Sequence, residues 1–305
     1  MRRIILFLTV LAATASCTLL AADAPKRQGW GGFPLYGNVK SVTRTELKVS
    51  SGVVVRDKIN SKTSYNFNEA GDVTEEATYM SDGSLKGTVI FKYDTKGNLT
   101  DEEAYQSNGS LYGKVINKYD SQGNMTENAQ YFGRWLSVKK IFKYDTQGNK
   151  IEEATYMSDG SLEFTVIFKY DTQGNLTEDA VYSSDGSLGD KHIYKYDSKG
   201  NRTEWARYYG SKDQFVFKAT FKYDTQGNLT EDAVYNSDGS LYQKYTYKYD
   251  AKGNKTEDVR YGSAGSLSGK TTYKYDSQGN VSEITQYDGE MRLVSQFVLT
   301  ITYRK

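Results

Sequence analysis

An acidic residue recurs once per unit along this chain, at Glu75, Asp101, Glu127, Glu152, Glu178, Glu204, Glu231, Glu257 and Glu283. Period-two counting places each one beside aromatic side chains. Carboxylates next to rings suit sugars, because rings pack on C–H faces and carboxylates accept hydroxyl hydrogens. The competing reading is structural. Each carboxylate would accept a bond from a neighbouring Tyr hydroxyl or backbone N–H within the sheet, and strict repetition favours that reading.

A second series, Asp94, Asp120, Asp145, Asp171, Asp197, Asp224, Asp250 and Asp276, invites comparison with calcium sites. Its spacing matches neither an EF-hand loop nor the Gly-Gly-x-Gly-x-Asp signature. Turn capping is the better account. Breaks in the pattern say more. Trp205 and Arg207 replace the usual acid and small residue on what alternation makes the polar face, with Tyr208 following. Arg260 repeats the arginine, and Arg134 and Trp135 stand where other units have a Ser-Asp-Gly-Ser turn. Exposed Trp and Arg are typical interaction anchors, so these six are the candidate ligand-binding residues, against the alternative of ordinary repeat drift.

Nothing in the chain points to catalysis. His192 is the sole histidine and no nucleophile elbow marks a partner for it. Adjacent carboxylates such as Glu152 and Glu153 alternate across a strand and do not converge. No Gly-rich phosphate loop is present. No enzymatic activity, no cofactor and no metal site are expected.

These residues hang on one phrase. Phe168 to Leu188 reads FKYDTQGNLTEDAVYSSDGSL, and the aromatic-Lys-Tyr-Asp-x-x-Gly-Asn core returns at roughly 26-residue intervals, beginning at Phe67, Tyr93, Tyr119, Tyr144, Tyr170, Tyr196, Tyr223, Tyr249 and Tyr275. Asp171-Thr172-Gln173-Gly174 reads as a type I turn with Gly in the left-handed region. Ser184-Asp185-Gly186-Ser187 reads as an Asp-Gly hairpin with positive φ at both central residues. The runs between turns are rich in Thr, Val, Tyr and Phe, and no Pro occurs after Pro34. The fold class is therefore all-β: tandem antiparallel hairpins, about twenty strands, forming an open sheet that curves or spirals. Counting from Tyr170 opposite Leu176 puts Phe168, Glu178, Ala180 and Tyr182 on one aromatic face. Lys169, Thr177, Asp179 and Val181 fall on the other.

Arg2 and Arg3 precede an apolar run from Ile4 to Ala13, the pattern of an export signal. Cleavage after Ala22 and lipidation of Cys17 are both open, since Thr14-Ala15-Ser16-Cys17 is similar to a lipobox. The expected division is a signal at 1–22, a linker or cap at 23–38 and the repeat array at 39–305. Cys17 is the sole cysteine, so no disulfide is expected. Losing Arg2 and Arg3 takes the formal charge from +1 to 1 − 2 = −1, which argues against nucleic acid or an anionic membrane surface as partner.

Tandem Tyr-Asp-x-x-Gly-Asn over about Tyr65 to Tyr287 resembles the YD repeats of the RHS family. That resemblance implies a spiralling sheet, often a shell around a toxin, and an association with carbohydrate or cell-surface contact. The unit here is longer than usual, the chain is short for a closed shell, and the toxin module is missing. The Tyr-x-x-x-Gly-x-Leu half (Tyr182 to Leu188) also looks like MORN-type repeats. The expected function is non-catalytic: an exported or lipid-anchored envelope protein of a bacterium that binds a glycan or a protein partner through its sheet. The alternative is a structural or assembly element that extends edge to edge, or part of an RHS-type delivery system.

Overall fold

The computed structural model describes residues 35–304. The expected export signal, Cys17, Trp30 and the 23–34 part of the linker lie outside them. Twenty strands follow one another: β1 (Val39–Ser50), β2 (Val53–Phe67), β3 (Val73–Tyr79), β4 (Leu85–Tyr93), β5 (Leu99–Gln106), β6 (Leu111–Tyr119), β7 (Met125–Phe132), β8 (Trp135–Tyr144), β9 (Lys150–Met157), β10 (Leu162–Tyr170), β11 (Leu176–Ser183), β12 (Leu188–Tyr196), β13 (Arg202–Tyr209), β14 (Gln214–Tyr223), β15 (Leu229–Asn236), β16 (Leu241–Tyr249), β17 (Lys255–Tyr261), β18 (Leu267–Tyr275), β19 (Val281–Asp288) and β20 (Leu293–Tyr303). Each pairs antiparallel with the next.

The two hairpin turns of a unit share one geometry. Asp171 N–H donates to Asn175 O at 2.9 Å and Gly174 N–H to Asp171 O at 3.1 Å, with Gly174 at φ 83°. Ser183 N–H donates to Ser187 O at 2.9 Å and Gly186 N–H to Ser183 O at 2.9 Å, with Gly186 at φ 82°. The expectation for the second turn is corrected. Only the glycine takes positive φ, not Asp185. Asp185 Oδ1 instead accepts the Ser187 N–H at 2.9 Å, which holds the aspartate in a right-handed turn conformation.

The sheet closes. Strand β1 pairs with β2 on one side and with β20 on the other, from Val39 opposite Tyr303 to Leu47 opposite Gln296, with one register slip between Val39 and Ser41. The open sheet expected from the repeat is thus replaced by a closed antiparallel β-barrel of twenty strands, and the edge-to-edge assembly argued from open ends loses its basis. The physical cause sits in the end strands. They are the longest, and they break the repeat in favour of aliphatic side chains. Val39, Val42, Tyr65, Phe67, Val281, Ile284, Phe297 and Leu299 form one buried cluster at the seam, with Leu35 packed on it. Val42 is fully buried at 0% exposure and Val39 at 1%, so joining the ends removes apolar surface that free ends would leave in water.

Apart from β2 and β20, which flank β1, only strands adjacent in the ring come together. Twenty strands about 4.8 Å apart make a circular ring about 30 Å across, wider with strand tilt. Barrels of about 16 to 18 strands already leave an aqueous channel, so a ring of twenty has room inside beyond the seam cluster.

Candidate functional site

Register decides which side chains line the interior, and a bulge decides the register. Tyr170 sits opposite Leu176, but Lys169 is opposite Glu178 and Phe168 opposite Asp179. Thr177 is the extra residue, and its hydroxyl donates to Lys169 O at 3.2 Å. Thr100, Thr126, Thr230 and Thr256 repeat that bond to Lys92, Lys118, Lys222 and Lys248. The bulge shifts each acid by one position. The face expected to carry Phe168, Tyr170, Glu178, Ala180 and Tyr182 together is therefore split.

One face now carries Lys169, Glu178, Ile167, Ala180, Thr165 and Tyr182. The lysines of the repeated phrase on this face are open to solvent, with side-chain exposure from 52% at Lys92 to 73% at Lys248, while Lys191 further along the strand is 19% exposed. The acids first read as sugar ligands are here, and most are ion-paired to those lysines: Lys169–Glu178 at 2.7 Å, Lys195–Glu204 at 2.7 Å, Lys222–Glu231 at 2.7 Å and Lys274–Glu283 at 2.7 Å, whereas Glu75 accepts Asn66 Nδ2 at 3.0 Å and Lys92 pairs with Glu103 instead of Asp101. They are rungs of the outer surface. The other face holds Tyr170, Leu176, Phe168, Asp179, Val166 and Val181. The seam cluster and Leu35 lie on this side, and here burial shifts the titration of tyrosines and carboxylates. This is the inner wall.

At the Asp-x-x-Gly end, a tyrosine from each of eight units reaches sideways over the preceding strand. Tyr170 Oη donates to Lys150 O at 2.8 Å and Tyr196 Oη to Leu176 O at 2.9 Å, and Tyr93, Tyr119, Tyr144, Tyr223, Tyr249 and Tyr275 repeat the bond. The adjacent turn aspartates are spent on their own loops. Asp171 Oδ1 accepts the N–H of Gln173 at 2.9 Å and of Asn175 at 2.8 Å, while Oδ2 accepts Asn175 Nδ2 at 2.9 Å. Those bonds hold its carboxyl below the usual range. Capping occupies the oxygens that a calcium ion would need.

Deeper in, aromatic and acidic side chains face each other across strands: Phe91 and Glu102, Phe142 and Glu153, Phe168 and Asp179, Phe221 and Asp232, Tyr247 and Asp258. Where the ring is tyrosine, its hydroxyl donates to the acid of the preceding unit. Tyr194 meets Asp179 at 2.5 Å, Tyr273 meets Asp258 at 2.5 Å, and Tyr247 makes a very short bond to Asp232. Burial raises all three phenols, and the carboxylate partner adds to the rise. Burial also raises the carboxyls of Glu76, Glu102 and Asp232. For Glu153 burial pushes upward too, but Lys140 at 2.7 Å and Lys150 at 2.8 Å outweigh it and hold the group low.

The structure brings together only part of the expected ligand set. Trp205 and Arg207 lie on the inner wall of β13, not on the outer polar face, because Trp205 pairs with Tyr194 and Arg207 with His192. Tyr208 points outward, under Lys191 at 5.6 Å and against Phe215 at 5.6 Å. Arg260 is on the inner wall of β17, remote from Trp205, and approaches Ser268 O at 3.4 Å. Arg134 and Trp135 stand at the rim, where Trp135 is 73% exposed opposite Phe132.

Around Trp205 the wall gathers residues that sequence reasoning passed over. His192 Nδ1 meets Asp179 Oδ1 at 2.8 Å, and the imidazole lies 5.5 Å from the indole. Arg207 Nε donates to Asp190 Oδ1 at 2.7 Å. The Arg202 guanidinium covers Phe221 at 4.6 Å and Tyr194 at 5.9 Å. Phe217 meets the indole edge-on at 5.1 Å. Trp205 Nε1 is buried without a hydrogen-bond partner. The signal that would have found these residues is the bulge threonine, which moves His192, Trp205 and Arg207 onto one face. As an ensemble they offer stacking surface and charge.

No protein-family model and no curated protein matches this sequence. Among solved structures, a porin-like protein from Bacteroides uniformis superposes with TM-score 0.41 and 12% identity, covering 87% of this chain and 96% of that one. A porin-like protein from Bacteroides vulgatus gives TM-score 0.32 and 13% identity, over 72% of this chain and 98% of that one. TcdB2-TccC3 without its hypervariable C-terminal region gives TM-score 0.36 and 13% identity, over 87% of this chain and 16% of that one, so this chain spans about a sixth of its length. At these scores the likenesses assign no function to this chain.

Proposed function

We propose that this chain is a non-catalytic, exported barrel of the bacterial cell envelope that binds a glycan along its inner wall. The observation that carries the reading is the repeated facing of ring and carboxylate inside the ring, as at Phe168 and Asp179 or Phe221 and Asp232. Rings supply the C–H stacking surface and carboxylates the hydroxyl acceptors that sugars need. Resemblance to YD repeats, with their carbohydrate association, points the same way, and the arginine-led apolar leader supports export.

The outer surface speaks for a barrel in water. It carries charge at two levels, Lys222 with Glu231 near one end and Lys218 beside Tyr235 nearer the other. Four residues of strand separate those levels, about 13 Å. A lipid-embedded barrel needs an uncharged band about 25 Å tall.

The test is calorimetric titration of the purified chain with oligosaccharides from bacterial cell walls and host surfaces. Saturable binding that Phe168→Ala and Phe221→Ala weaken, and that Lys169→Ala on the outer face leaves unchanged, supports the reading. An absence of binding to every sugar at millimolar concentration removes it.

A further inference from the structure

We propose that the inner wall of β12 to β14 is a subsite for an acidic sugar, a uronic-acid unit of an oligosaccharide, with Trp205 as stacking platform and Arg202 and Arg207 as carboxylate ligands. This rests on the glycan-binding reading above and deepens it.

The argument begins with what one unit lacks. Most units put an acid on the inner wall opposite the ring, as Glu102, Glu153, Asp179, Asp232 and Asp258 do. Asn128, Trp205 and Ile284 replace it. Asn128 joins an amide chain with Asn117 and Gln130, and Ile284 belongs to the seam core. Only the Trp205 unit combines loss of the acid with two arginines on the same strand face.

Among the described residues Arg202 forms no ion pair. It lies over Phe221 and Tyr194, which fix its plane while leaving its donors for a ligand. Arg207 is engaged through Nε alone, by Asp190, so both Nη groups of its fork remain. A guanidinium fork matches a carboxylate in two parallel bonds, and its orientation is set beforehand by the aspartate. Trp205 stands between them, about 7 Å along the strand from each. Ala219 is its cross-strand neighbour, and Phe217 braces its edge. The inner face of β14 adds Phe217, Ala219 and Phe221, without charge. Asp190 offsets the charge of Arg207, so Arg202 carries the uncompensated cation beside the stacking ring, and in a wall otherwise studded with carboxylates it selects an anionic sugar over a neutral or amino sugar.

The experiment compares a galacturonic-acid hexamer with a neutral glucose hexamer by calorimetry on the full chain, at low and high salt. The expected result is tighter binding of the acidic hexamer at low salt, an advantage that salt erodes. Arg202→Gln and Arg207→Gln should each weaken the acidic hexamer about tenfold, a charge-assisted bond's contribution, and leave the neutral one unchanged. Trp205→Phe should weaken both. Unchanged melting temperature for Arg202→Gln, whose side chain forms no ion pair, separates lost contact from lost fold. Equal affinity for the two hexamers overturns this inference and leaves the glycan reading standing. Binding of neither also overturns this inference, whereas the glycan reading falls only when every other oligosaccharide fails as well.

Discussion

Tyr194 and Asp179 share a 2.5 Å hydrogen bond on the inner wall, between strands β12 and β11, and His192 holds the second carboxylate oxygen at 2.8 Å. Asp179 is 8% exposed, so these two donors stand in for the water its carboxylate oxygens lose. Tyr194→Phe installs the ring that Phe168 and Phe221 place in other units, and should cost about 1.5 to 3 kcal/mol in urea unfolding. Combined with Asp179→Asn, the losses should be strongly non-additive. Simple addition of the two losses would show the pair to be uncoupled.

Alkaline stability should fall in a defined window. Burial pushes the Tyr93 and Tyr275 phenols up to about 12, against 10.0 for an exposed tyrosine. A raised folded value means the folded state keeps its proton more tightly. That stabilisation is complete below pH 10 and is lost as pH rises through 12. Melting temperature followed from pH 9 upward, with tyrosinate absorbance read in parallel, should show late ionisation coinciding with unfolding. Full tyrosine ionisation of a folded chain near pH 10 would contradict the burial.

Glu102 offers the opposite experiment. Burial raises its carboxyl, and among the described residues no cation is paired with it. At neutral pH the charged form is therefore a burden on the fold. Glu102→Gln should raise the melting temperature at pH 7, and the gain should vanish as pH falls below the ordinary glutamate value of 4.5. A gain that persists in acid would point to packing instead of charge.

The seam should dominate stability. Phe297 is 8% exposed, and Phe297→Ala should cost about 3 to 5 kcal/mol. Arg304 donates Nη1 to Val39 O at 2.7 Å and Nη2 to Phe67 O, so Arg304→Ala should speed hydrogen exchange in β1 and β20 before other strands. Glu178→Ala, which breaks an equally short outer rung at 2.7 Å, should cost less than about 1 kcal/mol because that pair is bathed in water.

Much of this architecture was legible. Turn chemistry at Asp171 and Gly174 gave the hairpins, and the repeat gave their number. Two things were hidden, and both are non-local or off-period. Alternation counts every residue, so it does not see that Thr177 is surplus, and this one residue exchanges Glu178 for Asp179 on the inner wall. Ring closure was hidden because Val42 and Phe297 look like ordinary strand residues until the ends meet. Trp205 and Arg207 stood out as pattern breaks, yet their company, His192, Asp190 and Arg202, depended on that same bulge.

The seam also sets an order of events in folding. Every other strand pair joins neighbours along the chain, whereas Val39 meets Tyr303 across 303 − 39 = 264 positions. Hairpins of such short reach form in microseconds. Bringing the two ends together carries a loop-closure entropy of about 5 kcal/mol, which no hairpin bears. The repeats are thus expected to assemble first as a strip, and joining β1 to β20 becomes the late, slow step. Until that step is complete the strip has two bare edges rich in Val, Leu and Phe, so the interval before closure is when the chain is most exposed to mispairing with its own copies.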